Sequence, residues 1–298
     1  MFARIENMQL WFWAAVIGMI LAGISNFGFK VAVKKGYDAE VFNLYGGIVS
    51  VTFASFCLLV VRPEDVNGWG IVAVTILSGF IATTGGIMKV YALRHIDTTI
   101  FFPLFKLFSP LLAIIAGIIF FQEAFTLAEW IGILLGLFIP LLLINKTEHT
   151  RQQNLVAGLI FVGLVSLASA LAAGMNKFAI DTGMSHWVAL WYNVFGIVFG
   201  TLLIILFQLR SAMVRHLLAH SNKALIYQAT FRAIFISTST LLIFYAYGHG
   251  GDLGIVQTIH SLYIVIPIVL SVLIYQEHIN WKKAFAVLLS VLALAFLG

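Results

Sequence analysis

The sequence predicts an all-α integral membrane protein, with ten transmembrane helices arranged as two inverted five-helix repeats around a central cavity. Three observations lead there. Apolar residues make up 61% of the 298 residues and charged residues only 10%, with a mean hydropathy of +1.03; a soluble domain carries about a quarter charged residues. Ten apolar stretches, 10–34, 40–62, 69–93, 98–121, 126–144, 153–180, 187–208, 223–247, 253–275 and 281–297, are each long enough to cross a bilayer, whose hydrocarbon core of about 30 Å takes roughly 20 helical residues. The second half of the chain also repeats the first at a near-constant offset.

Several classes of function are excluded early. The first stretch is too long for the apolar core of a cleavable leader, has no small-residue cleavage pattern and ends in lysines, so it reads as a retained helix. Cys57 is the single cysteine, which rules out an internal disulfide and a cysteine-based zinc site. The net charge of +5 comes with no basic helix or aromatic-basic motif, so nucleic acid is not an expected partner. The eight histidines are scattered and show no HExxH spacing, which argues against a metal-dependent membrane enzyme, and no cofactor is expected.

Loops after odd-numbered helices hold Lys34, Lys35, Arg94, Lys146, Arg151, Arg210, Arg215, Lys223, Lys282 and Lys283, against Arg4 and Arg62 on the other side. Lysine and arginine accumulate on the cytoplasmic side, so this split predicts both termini outside.

Taken in order, helix 1 carries Gly23, Asn26 and Lys30 on one face at helical spacing. Lys30 lies near the helix end, where a lysine can snorkel to the interface. Helix 2 places Asn43, Gly47, Ser50 and Ala54 together, a small-residue face for close packing. After Arg62-Pro63-Glu64-Asp65, helix 3 runs Ser78, Ala82, Gly85 and Lys89 down one side and ends in Tyr91-Ala92-Leu93-Arg94-His95. Helix 4 brackets Lys106 with Pro103 and Pro110, and prolines free carbonyls, so irregular helix is expected there. Lys106 lies about two turns inside, too deep for easy snorkelling. Gln122-Glu123 closes helix 4, Gly132 and Gly136 give helix 5 a contact face, and a polar linker covers 145–152 between units at 1–144 and 153–298.

The second unit reopens the pattern. At an offset of 147, Lys177 falls on Lys30, Gly183 on Gly36 and Tyr192 on Tyr45. The longer loop from Gln208 to Asn222 changes the offset to 154, at which Tyr245-Ala246 meets Tyr91-Ala92, His260 meets Lys106 and Gln276-Glu277 meets Gln122-Glu123. Five helices per unit is an odd number, so the copies enter the membrane from opposite sides. Such inverted repeats hold substrate near the midplane and alternate between two openings.

The candidate binding residues follow from charge and depth. Lys106, Arg232, Lys30, Lys177 and His260 supply positive or titratable groups, with Asn26, Tyr45, Tyr91 and Tyr192 shaping the space between the units. Arg232 lies two turns into helix 8, and its repeat partner is Ser78. A charge at that depth costs about 2.5–3.5 kcal/mol on insertion scales. No aspartate or glutamate lies well inside a span. Cations without buried carboxylates suit an anion such as a carboxylate or phosphate; the alternative is that they hold lipid headgroups or carbonyls at one membrane face.

The paired units, the Tyr-Ala near the end of each third helix, the glutamate closing each fourth helix and the small-residue fifth helix resemble the drug/metabolite transporter superfamily, in its ten-helix branch of EamA-type domains. Pro267, ten residues before Glu277, is similar to the family's proline; Pro110 stands thirteen before Glu123, a departure. The resemblance implies a ten-helix basket that exports or exchanges small metabolites, with both termini in the cytoplasm, opposite to the charge count. It also implies that cationic drugs are not substrates, because the first helix has Asn26 and Lys30 where small multidrug relatives carry a glutamate. The resulting expectation is a secondary transporter for a small anionic or zwitterionic metabolite in the plasma (inner) membrane, in contact with lipid, as a monomer or weak homodimer. The alternative is an exporter of neutral or aromatic amino acids whose lysines are structural.

Overall fold

The computed structural model describes residues 2–37, 39–61, 68–96, 98–143, 154–208, 222–276 and 280–298, and the regular structure in them is helical. The turn at 62–65, the linker at 145–152, the loop at 209–221 and Glu277 lie outside the described residues, as do the side chains of Lys30 and Asn43. Each of the ten apolar stretches lies on helix: α1 (Phe2–Lys34), α2 (Ala39–Val61), α3 (Trp69–His95), α4 (Thr98–Phe120), α5 (Leu127–Leu142), α6 (Leu155–Asp181), α7 (His186–Gln208), α8 (Lys223–Gly248), α9 (Leu253–Ser261) with α10 (Val265–Tyr275), and α11 (Trp281–Leu297). By length and composition, six of these segments suffice to cross a membrane: those in α1, α3, α4, α6 and α8, and the run from Leu253 to Tyr275.

One expectation about helix irregularity is corrected. α4 runs unbroken through Pro103 and Pro110, and the break falls instead in the ninth stretch, where a 3₁₀ turn at Leu262–Ile264 separates α9 from α10. Pro267 lacks the N–H that would bond the carbonyl of residue 263, and its ring crowds that carbonyl. The Tyr263 carbonyl accepts from Val265 N–H instead, which tightens the turn locally.

The exterior is apolar and bulky: Trp69, Phe120, Leu127 and Leu273 are all well exposed. The interior is built of small residues, with Ala15, Ala22, Ala92, Ala113, Ala229 and Ala293 fully covered. In a bilayer the hydrophobic effect does not drive helices together, so close backbone approach and hydrogen bonds must. Helix entries are capped within the chain: Asn154, Asn222 and Asn280 begin α6, α8 and α11, each accepting from a backbone N–H three residues on, and Thr126 with Glu129 forms a capping box on α5.

The two halves interlock. α3 packs along α6 and α7, while α8 packs along α1 and α2; α5 pairs with α11 and α4 with α9. Gly79 of α3 and Gly196 of α7 meet backbone to backbone: a β-carbon on Gly79 would strike the Asn193 carbonyl, and one on Gly196 the Ile76 carbonyl. Ser239 Oγ donates to the Gly18 carbonyl at 2.6 Å, tying α8 to α1.

Glu123 joins the halves at the end of α4. Gln122 takes a left-handed φ of 56°, the chain turns back so that Glu123 N–H donates to the Gly117 carbonyl at 3.1 Å, and the carboxylate lies over Gly117, where a β-carbon would collide with it. Its two oxygens accept from the N–H groups of Leu253 and Gly254 at 2.5 and 3.1 Å, at the start of α9. Asp252, the residue at the N-cap, makes no side-chain cap bond. A helix N-terminus leaves N–H groups unsatisfied and favours a nearby anion, so a first-half glutamate caps a second-half helix.

Gly79→Ala is expected to destabilise the folded chain by about 1–3 kcal/mol and Glu123→Ala by about 1–2 kcal/mol, both read as a lowered Tm in detergent; unchanged melting in either would contradict the packing described. Burial raises Glu123 above its usual 4.5, outweighing the two N–H donors that lower it, and burial likewise raises Asp252 above 3.8. A carboxyl whose folded pKa is raised contributes stability that is complete below its unfolded pKa and lost as pH rises through the folded one. Tm is therefore expected to fall with rising pH from about 4 upward, and the slope to flatten in a Glu123→Gln, Asp252→Asn double variant.

Candidate functional site

Lys106 is buried, only 8% exposed, on the inward face of α4. Its ammonium sits 3.9 Å from the Tyr263 ring centroid and 5.0 Å from that of Phe105. Tyr263 is presented by the 3₁₀ turn that Pro267 imposes, so the broken ninth stretch and Lys106 meet at one place. His260, three residues earlier and therefore on the same face, contacts the Tyr263 ring edge-on at 5.4 Å and lies within electrostatic reach of Lys106.

Two more cations lie within electrostatic range of Tyr263. Lys89, near the end of α3, lies 4.6 Å from the Phe102 centroid and interacts electrostatically with Tyr263, Lys106 and Arg232. Arg232 of α8 places its guanidinium carbon 5.8 Å from the Phe42 ring centroid and is also within electrostatic range of Tyr263. Two glycines lie beside it: a β-carbon on Gly46 would stand 3.4 Å from Nη1 and one on Gly28 3.7 Å from the Arg232 Cβ, both at contact distance. The same stretch of α8 is held to α1 by Gln228, which donates to the Gly28 carbonyl at 3.1 Å, and by Ser25, which donates to the Arg232 carbonyl at 3.2 Å. Ring faces attract cations, but they supply no neutralising charge. Lys177, elsewhere in the bundle, pairs with the Asp181 carboxylate.

The remaining sequence-derived residues fall in other surroundings. Lys177 sits at the far end of α6, 3.2 Å from Asp181 and donating to the Gly251 carbonyl at 3.3 Å, beside the Phe121 and Tyr247 rings. Its charge is engaged locally. Asn26 turns back to donate to the Ala22 carbonyl at 2.7 Å within α1. Tyr45 packs against the small cluster of Val41, Phe42, Leu225 and Ala229. Tyr91 is partly exposed and stacks on Phe161, and Tyr192 lies edge-on to Trp191. The side chain of Lys30 lies outside the described residues.

Two members of the cluster were missing from the sequence-derived set. Lys89 is legible in the sequence as a charge on the helix 3 face, where its place near the helix end reads like that of an interface lysine. Tyr263 carried a weak signal, its placement one turn after His260. Elsewhere in the bundle, Ser78 donates to Asn176 Oδ1 at 2.7 Å and Asn193 donates to Ser78 Oγ at 2.8 Å, a buried neutral set joining α3, α6 and α7.

No curated protein matches the chain. A crystal structure of a protein superposes with a TM-score of 0.69 at 16% identity, covering 95% of each chain, which shows a shared fold. The profile of the EamA-like transporter family matches twice, over residues 9–145 and 151–298. The multi-pass apolar helices and this double match across nearly the whole length agree, and the protein belongs to the EamA-like transporter family.

Proposed function

We propose that the protein is a secondary transporter that moves a small anionic metabolite, or a zwitterion presenting its carboxylate, through the plasma (inner) membrane by alternating access. The observation that carries this is Lys106, buried on α4 with its ammonium 3.9 Å from the Tyr263 ring centroid and 5.0 Å from that of Phe105. A buried ammonium resting on ring faces is costly, and a substrate anion offsets the cost when it binds.

The finer architecture in this reading is ten spanning helices in two inverted repeats, working as a monomer or weak homodimer among lipids. Helix ends support the duplication: α2 spans 39–61 and α7 spans 186–208, an offset of 147, while α3 starts at 69 and α8 at 223, an offset of 154. Positive φ recurs in register too, at Gly36 with Gly183 and at Gln122 with Gln276. The exchanged packing, α3 on α6 and α7 but α8 on α1 and α2, is what a two-fold relation between units would produce. Rocking of one interlocked set against the other is the motion such a relation supports.

The ring faces of Phe102, Phe105 and Tyr263 around the cations favour one alternative, export of aromatic amino acids. Uptake into proteoliposomes separates the two. In the anion reading, Lys106→Met lowers kcat/KM for an anionic substrate by about tenfold or more, the scale of one lost charge-assisted contact, and uncharged aromatic compounds do not compete. Full transport of every anion by folded Lys106→Met would overturn the assignment.

A further inference from the structure

We infer that the Lys106 site takes an organic acid whose carboxylate is unaccompanied by an amino group, and that it rejects the amino acid of the same shape. The inference rests on the anion-carrier reading and removes the zwitterion from it.

An amino acid carries its ammonium on the carbon next to the carboxyl group, so a carboxylate seated on Lys106 would bring a second cation into the same enclosure. At low dielectric that cation repels Lys106 unless a carboxylate, a ring face or a carbonyl receives it. Carboxylates are distant. Among the described residues the acids are Glu123, Glu129, Asp181 and Asp252. Glu123 caps α9, Glu129 completes the capping box of α5, Asp181 pairs with Lys177 and Asp252 precedes α9. Lys177 touches both Phe121 and Gly251, so these acids gather where α4 ends. Lys106 precedes Phe120, the last residue of α4, by about 21 Å of helix axis.

The ring faces are engaged by the chain's own groups. Lys106 lies over Tyr263 at 3.9 Å and over Phe105 at 5.0 Å. Tyr263 also meets His260 at 5.4 Å, and Phe105 stacks on Phe101 at 5.9 Å. Phe102, one turn earlier on α4, holds Lys89 at 4.6 Å. The imidazole of His260 can accept from one cation, and the Lys106 ammonium already lies within its electrostatic reach.

Broken helices in transporters present freed carbonyls to cations, but here the 3₁₀ turn uses them. The Ile259 and His260 carbonyls accept from Leu262 N–H, and those of Leu262 and Tyr263 accept from Val265 N–H. A carboxylate meets the opposite situation. The Lys106 ammonium has three N–H donors, and among the described residues it meets ring faces and no hydrogen-bond acceptor. One ammonium balances one negative charge, which a monocarboxylate supplies without adding a cation.

Thermal unfolding of the full chain in detergent at about pH 7 tests this with matched pairs: lactate against alanine, 2-hydroxyisocaproate against leucine, and phenyllactate against phenylalanine. Each pair differs by a hydroxyl in place of the ammonium, and an α-amino group, with a pKa of about 8 or above, is charged at that pH. The expected result is a saturable rise in Tm at low millimolar concentration with the hydroxy acid of at least one pair. Its amino acid half-saturates at least tenfold more weakly, and the rise is lost in Lys106→Met. Should Lys106→Met fail to fold, Lys106→Gln takes its place. An amino acid that binds within tenfold of its hydroxy acid, with loss in the variant, overturns the exclusion and leaves a carrier of zwitterions standing. A response that persists in the variant, or is absent from the parent chain, overturns the Lys106 site itself.

Discussion

A lysine buried among spanning helices and resting on aromatic rings is the constraint on which this protein turns. Lys106 is almost wholly buried and rests on aromatic rings. Burying an ammonium costs several kcal/mol even after relaxation, and a desolvated cation–ring contact returns about 2 kcal/mol of it. Lys177 shows the other solution, an i,i+4 aspartate and a backbone carbonyl at the helix end. The chain thus neutralises one lysine with its own groups and leaves another to aromatic faces. That difference separates a structural lysine from one suited to a charged substrate.

The packing places this charge where movement would act on it. Lys106 comes from α4, Tyr263 from the turn between α9 and α10, Lys89 from α3 and Arg232 from α8, so every element of the cluster belongs to a contact between the two halves. The Glu123 clasp fastens the end of α4 to the start of α9, and the 3₁₀ turn gives the ninth stretch a local irregularity beside Lys106. Discontinuous helices at a site between repeats are a recurring feature of secondary transporters.

Much of the fold was legible because bilayer physics reduces it to hydropathy and length, and the repeat could be read from Lys30 with Lys177 and Glu123 with Glu277. What escaped has physical reasons. Proline content pointed to irregularity in helix 4, but Pro103 falls in its first turns and Pro110 is absorbed within an unbroken helix, while the 3₁₀ turn lies beside Pro267. Lys177 and Asp181 were spaced for an ion pair, yet a charge pair at a helix end looks the same in sequence whether engaged or free. Glu123 could be seen to close helix 4, but its role as the cap of α9 is set by a contact across 130 residues. Tyr263 came to the centre only through tertiary convergence. The triad of Ser78, Asn176 and Asn193 was likewise hidden among residues that read singly as packing.

The central claim is that the Lys106 cluster holds an anion. Its most direct measurement is an anomalous diffraction map from crystals soaked in selenate, an oxyanion with a phosphate-like shape and charge. The account predicts one strong selenium peak about 4 Å from the Lys106 Nζ, with a selenate oxygen at hydrogen-bond distance from the ammonium, and its loss in Lys106→Gln crystals. Peaks confined to the surface lysines, with nothing at Lys106, would contradict it.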